Sequence, residues 1–487
     1  MSRLVLAAAA LLVSGTPAVA QPTRPNVLFV AVDDLRPALG CAGDPHAKTP
    51  VIDQLASRGT VFTRAYCQQA VCSPSRSSLL TGRRPDTTKV YDLVTHFRTA
   101  LPDVVTLPQH FRQHGYYVHG VGKIYHPGYN DERSWSVPWE ATKGKGFGPD
   151  GQRVLADAKA KAKADNADVT KVRGLPVEAP EVPDGELNDG WTADRVIEIL
   201  KQRKGKAEPF FLAVGFAKPH LPFVAPKRYW DQYDAASLPV STSAEPPAGA
   251  PKFAPQFGGE LRAYVGIPKA GPVAEATARR LVHGYYAAVS YMDAQLGRVL
   301  DSLRESGFAD NTVVVLWGDH GWHLGDHGMW CKHTNYELAT RAALVVSAPG
   351  QRAPGRPCDR LVEFVDVYPT LSDVCRLPAP AGVEGSSFAP LLDDPAKPWK
   401  AAAFSQYPRP GGPGVGPLMG YAVRTDTHRY VEWRKRDGGE VVARELYDHR
   451  TDAAEDRNVA ADPAHRDAVA GLARRLADGW RANAPPK

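Results

Sequence analysis

The chain predicts an α/β fold: a large, mainly parallel sheet sandwiched by helices, followed by a smaller C-terminal α+β subdomain. Three observations carry this. Apolar runs at residues 26–32, 210–216 and 312–316 are continuous, as in strands buried on both faces of a sheet. Helical patterns alternate with them, the longest over residues 276–307 with Leu281, Tyr285, Ala288, Met292 and Leu296 on one stripe. Polar residues then follow the runs: Asp33-Asp34, His220 and Asp319-His320. Open α/β sheets collect their ligands there, beyond the carboxyl ends of the strands.

Taken in order, Met1-Ser2-Arg3, an apolar run over residues 4–13 and Ala18-Val19-Ala20 read as a signal peptide, so residues 1–20 are expected to be removed and the product exported. After the strand at 26–32, Thr49-Pro50 opens a helix over 51–58. A helix over 107–114 precedes a strand at 117–121, which leads into Lys123. Two stretches read as surface insertions: 155–190 is Ala/Lys-rich and then Pro-rich and acidic, and 241–275 is dense in Pro and Gly. A boundary near 395 divides a catalytic-sized domain, 21–395, from a subdomain at 396–487, whose strands are expected at 401–405 and 421–433.

Composition narrows the function classes. A chain of 487 residues, 43% hydrophobic and 23% charged, is ordinary for a globular enzyme. Its net charge of +6 is mild and, outside a Lys-rich segment at 158–163, dispersed. That permits an acidic substrate, and no nucleic-acid partner is expected. No stretch is long and apolar enough to span a bilayer. Six cysteines in an exported chain allow disulfides, and Cys358 and Cys375 flank a short loop that a bridge would close.

The chemistry gathers around residues 72–83, Cys-Ser-Pro-Ser-Arg-Ser-Ser-Leu-Leu-Thr-Gly-Arg. Pro74 suits the first turn of a helix and Ser73 its N-cap, which puts Cys72 at a helix N-terminus, where N–H groups favour an anion. Arg76, about one turn on, adds a guanidinium fork suited to a tetrahedral oxyanion. The competing reading of Cys72 is an ordinary disulfide. Asp33, Asp34, Asp319 and His320 offer three carboxylates and an imidazole to one divalent cation, although Asp-Asp and Asp-His-Gly are also common in turns. Lys123, His126, His220 and Lys332 complete a set that, with Arg76, can surround an anionic ester. Singly, each histidine is more often structural than catalytic.

The twelve residues from Cys72 resemble the sulfatase signature, and the wider chain resembles the iduronate 2-sulfatase branch of that family. The likeness runs through Asp33-Asp34-Leu35-Arg36-Pro37 and residues 68–86, 122–128, 210–220, 290–297, 319–330, 405–410 and 419–425. It implies an alkaline-phosphatase/sulfatase-like fold, and Cys72 oxidised to formylglycine by a formylglycine-generating enzyme. Asp33, Asp34, Asp319, His320 and residue 72 would bind Ca²⁺, with Mg²⁺ the less expected ion. Hydration of the aldehyde gives a geminal diol whose hydroxyl attacks sulfur. Arg76, Lys123 and Lys332 hold the sulfate, His220 protonates the leaving sugar oxygen, and His126 takes the proton from the second hydroxyl to expel sulfate. Trp322, His333 and Arg409 are expected to contact the sugar; His333, after Lys332, departs from the family pattern. The implied substrate is a sulfated saccharide, with 2-O-sulfated uronic acid favoured. Alternatives are a phosphoester or phosphonate hydrolase on the same scaffold and a non-catalytic binder of sulfated glycan.

Overall fold

A computed structural model describes residues 24–241, 243–411 and 416–486, so the signal-peptide reading of residues 1–20 lies outside the described residues. The large sheet contains β1 (Asn26–Val32), β2 (Thr60–Val61), β3 (Tyr117–Gly122), β4 (Phe210–Phe216), β5 (Thr312–Gly318) and β6 (Leu344–Ser347), in the order β2-β6-β5-β1-β4-β3. β1 lies parallel between β4 and β5, and β3 extends the parallel set beyond β4. β6 runs antiparallel to both of its neighbours. The four parallel strands therefore release their polar followers on one edge.

Every residue of β1, β4 and β5 is buried, which explains their unbroken apolar sequence. Alternation still sorts the faces. Leu28, Val30 and Val32 pack with α1 (Pro50–Ser57) and the long α3 (Glu275–Glu305). Val27, Phe29 and Ala31 pack on the other side with α2 (Cys72–Thr81) and α4 (Val367–Val374).

A second, antiparallel sheet runs β7 (Ala403–Arg409), β8 (Leu418–Arg424), β9 (His428–Lys435) and β10 (Val441–Asp448). Its cover is α5 (Arg466–Ala482), which buries Leu472 against Val423, Tyr430 and Leu446. The single strand expected at 421–433 is in fact two. A turn in which Thr425 and His428 exchange backbone and hydroxyl hydrogen bonds divides it, within a stretch whose apolar alternation continues on both sides.

Three further expectations change. The helix at the signature is capped by Val71 rather than Ser73, so Cys72 is its first residue. Cys358 and Cys375 do not pair: all six cysteines are free thiols, and Cys358 Sγ donates to Pro395 O at 3.5 Å. The 241–275 stretch is only partly surface, because Ala254, Leu261, Tyr264 and Ile267 are buried. These apolar residues are spaced by Pro and Gly and have no helical or strand period, which is why they read as loop. The other insertion behaves as expected in its first part: the helix Pro149–Ala164 buries only Gly151.

Candidate active site

The edge formed by β1, β3, β4 and β5 gathers the predicted residues onto the N-terminus of α2. Asp33 and Asp34 leave β1, Lys123 leaves β3, His220 follows β4, and Asp319 and His320 leave β5. Gly122 makes the exit of Lys123 possible. Its φ is +78°, and a Cβ there would lie 2.2 Å from Gly215 O, so only glycine allows the chain to turn at that point. Asp34 also has a left-handed backbone, φ 60°, an unfavourable conformation that a carboxylate in a fixed site justifies.

Cys72 sits at the focus. Its Sγ lies 3.4 Å from His320 Nε2 and 3.8 Å from Lys123 Nζ. One ligand atom each from Asp33, Asp34, Cys72 and His220 falls within a 4.8 Å span, and Cys72, Asp319 and His320 form a second such group. Burial, then the Asp33 carboxylate, pushes the Cys72 thiol well above its usual range, so as cysteine it is a protonated and poor nucleophile.

Arg76 is fully buried and is committed to protein groups. Nε donates to Asp319 at 2.8 Å, Nη2 to Asp33 at 3.1 Å, and Nη1 to the carbonyls of Lys123 and Ile124. This guanidinium orients two of the carboxylates instead of facing an open anion pocket. Breaking such a buried pair from one side costs about 3–5 kcal/mol. Lys123 pairs with Asp33, and Lys332 Nζ sits 3.1 Å from both Asp34 oxygens.

The donor set fits a divalent cation. His320 Nδ1 lies 3.0 Å from Gly321 O, and a carbonyl can only accept, which assigns the proton to Nδ1. Nε2 lies 3.3 Å from Asp34 Oδ1 and 3.6 Å from Asp319 Oδ1. The four ligands expected from sequence fall in two groups that share residue 72: Asp33 and Asp34 with His220, and Asp319 with His320. Burial, with a smaller push from Asp33, raises the Asp34 pKa against His220 and Lys332. Oxygen-rich ligation of this kind suits a hard cation.

His220 has accepting partners on both ring nitrogens. Nδ1 lies 2.6 Å from Leu221 O, and Nε2 lies 3.0 Å from Glu260 Oε1. Both partners accept, which is the pattern of an imidazolium. Burial opposes that charge, but the Asp34 and Asp33 carboxylates and Glu260 outweigh it and raise the His220 pKa. His126 is its counterpart. Burial, then Lys123, brings it down to about 4, and its buried Nδ1 has no partner.

Glu260 is the residue that sequence reasoning missed. It bridges Lys332, at 2.8 Å, and His220, at 3.0 Å. It comes from the 241–275 stretch, whose Gln256 also holds Lys332 O at 2.6 Å. A lone glutamate after two glycines gives no sequence signal.

The expected sugar contacts divide. Trp322 is 1% exposed and lies under Lys332 Nζ, 4.7 Å from the ring centroid, so it supports the lysine and is no surface for a sugar. Arg409 spends its guanidinium on the carbonyls of Phe253, Ala254, His333 and Pro408, which ties β7 to the covering segment. His333 remains at the rim with its ring 6.0 Å from Tyr407; burial and Lys332 push it down to about 3.

The sulfatase family profile matches residues 25–376, and the profile of the N-sulphoglucosamine sulphohydrolase C-terminal region matches residues 325–481. An iduronate 2-sulfatase of Mus musculus is 34% identical over 508 residues, covering 90% of this chain and 91% of that protein. The chain belongs to the sulfatase family. It is a sulfuric ester hydrolase with its likeness on the iduronate 2-sulfatase branch; the Homo sapiens enzyme is also 34% identical, over 516 residues, covering 89% of this chain and 90% of its own length. In fold this sulfatase is similar to a phosphonate monoester hydrolase from Silicibacter pomeroyi, with a TM-score of 0.73, 25% identity and coverage of 94% and 96%. The alkaline-phosphatase/sulfatase-like architecture expected from sequence is thus the one observed. No described helix is long and apolar enough to cross a membrane.

Proposed function

We propose that this sulfatase removes sulfate from an acidic saccharide, an iduronate 2-sulfatase-like reaction on a 2-O-sulfated uronic acid, in an exported compartment. One observation carries the catalytic part. Residue 72 stands at a helix N-terminus beside Asp33, Asp34, Asp319, His220 and His320, with Lys123 Nζ 3.8 Å from its Sγ.

Four carboxylates, Asp33, Asp34, Asp319 and Glu260, face three permanent cations, Arg76, Lys123 and Lys332. With the His220 imidazolium the positive and negative charges balance, and a divalent ion would leave the pocket net positive. A net positive pocket suits an anionic ester.

Ca²⁺ held by Asp33, Asp34, Asp319 and His320 would supply Lewis-acid polarisation, and formylglycine at residue 72 would supply the nucleophilic hydroxyl near the position of Sγ. The other groups act through their own atoms. Lys123 and Lys332 donate to the sulfate oxygens. Arg76 keeps Asp33 and Asp319 in place, a positioning role instead of the sulfate contact expected from sequence. His220 Nε2 gives a proton to the departing sugar oxygen, and neutral His126 accepts one when sulfate is expelled.

The reading is tested by assaying purified protein, made with the formylglycine-generating enzyme, against defined sulfated disaccharides and an aryl phosphonate monoester. Turnover led by a 2-O-sulfated uronate supports it. Faster turnover of the phosphonate would replace it with the phosphonate hydrolase reading, which the similar Silicibacter pomeroyi fold keeps in view.

A further inference from the structure

His220, the proposed acid, sits on residues 217–222, which belong to no helix or strand. Proton delivery needs its ring held at both nitrogens, by Leu221 O on Nδ1 at 2.6 Å and by Glu260 on Nε2 at 3.0 Å. The backbone that carries the ring is itself fixed by two charged groups to which the mechanism gives no part. Both are buried: Asp189 is 1% exposed and Lys218 6%.

Asp189 lies in the first turn of the helix Asn188–Arg203, and its two oxygens accept separately from Ala217 N at 2.7 Å and Lys218 N at 2.9 Å. His220 N then donates to Ala217 O at 2.9 Å, which closes a turn. Lys218 works on the other side of that turn. Its Nζ donates to His220 O at 2.9 Å and to Pro222 O at 2.6 Å. These carbonyls flank Leu221, whose own carbonyl is the one that takes the His220 ring. Pro222 O has a second donor in Val224 N at 2.9 Å, whereas among the described residues His220 O has only the ammonium.

An ammonium is an unfavourable way to fill this space. Burial brings the Lys218 pKa down to about 8 against the pull of Asp189, Asp33 and Asp34, and among the described residues no carboxylate pairs with its Nζ. An unbranched apolar side chain would occupy a similar volume without that penalty, but it could not donate. Losing the donor would leave the buried His220 carbonyl unsatisfied and free the next peptide, and with it the Leu221 oxygen, to turn away from Nδ1.

We propose that Lys218 is a positioning residue for the sulfatase reaction: its ammonium, with Asp189 behind it, holds the peptides of His220 and Leu221 so that the imidazolium presents Nε2 to the leaving sugar oxygen. The inference rests on the acid role proposed for His220. Because the bonds of Lys218 end on backbone, its effect should fall on the step that needs a proton.

Lys218→Met keeps the length of the side chain and removes the donor, and Asp189→Asn keeps the shape and leaves one accepting oxygen where there were two. Full-length protein made with the formylglycine-generating enzyme is assayed on a sugar sulfate and on an activated aryl sulfate, with folding followed by thermal unfolding. Each variant should lower kcat on the sugar sulfate about tenfold or more, keep KM within about twofold, and change kcat on the aryl sulfate about threefold or less. Equal losses on both substrates would make Lys218 a purely structural residue, and no loss on either would remove it from the reaction; both results overturn the inference. A second readout needs no turnover. In protein carrying isotopically labelled histidine, the Nδ1 proton of His220, identified by its loss in His220→Ala, should exchange with water about tenfold faster or more in Lys218→Met. Where His220→Ala itself harms both substrates equally, the acid role has failed and the exchange rate alone decides: faster exchange supports positioning by Lys218, and an unchanged rate overturns it.

Discussion

Replacing Glu260 by glutamine removes one negative charge while keeping shape. The carboxylate makes two charge-assisted contacts, to Lys332 at 2.8 Å and to His220 at 3.0 Å. Each such hydrogen bond contributes about 1.5–3 kcal/mol. The two losses are unequal. Lys332 keeps both oxygens of Asp34 at 3.1 Å, so it stays charged and in place. His220 keeps only the Leu221 carbonyl at hydrogen-bond distance, with the Asp33 and Asp34 oxygens 3.9 and 3.8 Å away, so its protonated form loses its nearest anion. The loss therefore concentrates on proton delivery and corresponds to about 10- to 150-fold in rate for a substrate that needs it. A sugar oxygen leaves as a poor anion and needs that proton, whereas a nitrophenolate does not. Glu260→Gln should lower kcat on a sugar sulfate by about that factor and change kcat on an aryl sulfate by about threefold or less. The assay is parallel steady-state kinetics on the two substrates, with metal content measured in each preparation. Equal losses on both would place the effect in sulfate binding by Lys332, and no loss on either would mean that the bridge has no part in catalysis.

The remaining predictions concern the nucleophile, the cation and the second histidine. Mass spectrometry of active protein should show formylglycine at residue 72, and fully active material carrying only the thiol there would refute the mechanism. Exhaustive chelation should abolish activity and Ca²⁺ should restore it; indifference to metal removal, or stoichiometric Zn²⁺ in native protein, would contradict the proposed ligands. His126→Ala should release about one equivalent of alcohol in a burst and retain one sulfate on the protein, because departure of the sugar precedes the step assigned to this residue. His220→Ala should give no burst with a sugar sulfate yet turn over an activated aryl sulfate; the same behaviour in both variants would undo the division of roles.

What could be read in the sequence follows from how local the signals were. β1, β4 and β5 are buried on both faces, so their apolar runs were unbroken and their ends visible. Because a parallel sheet exposes one set of strand ends, finding Asp33-Asp34, Lys123, His220 and Asp319-His320 after such runs was enough to place them together. The second sheet was legible as strands but its hairpin was passed over, although six polar residues at 424–429 separate the apolar stretches of β8 and β9. The roles of individual side chains were less accessible. Arg76 was expected to face the anion because its charge is all that sequence reports; its four hydrogen bonds to Asp33, Asp319 and two carbonyls appear only when three separate strand ends meet.

Glu260 shows the limit most plainly and also why the site needs it. Its stretch carries no period, so nothing local distinguishes it from solvent-exposed loop. Yet Lys332 sits in a backbone that only outside restraint explains, between Cys331 at φ 72° and His333 at φ 77°, both left-handed and neither glycine. Restraint comes from both sides: Ala70 O accepts from His333 N at 3.1 Å, and Gln256 and Glu260 hold Lys332 from the covering segment. Without Glu260, Lys332 would have the Asp34 carboxylate as its one anionic partner within hydrogen-bond distance. Glu260 supplies a second anion, so the ammonium is shared between two carboxylates. On the proposed roles of Lys332 and His220 the covering segment belongs to the catalytic machinery, although composition alone marks it as insertion.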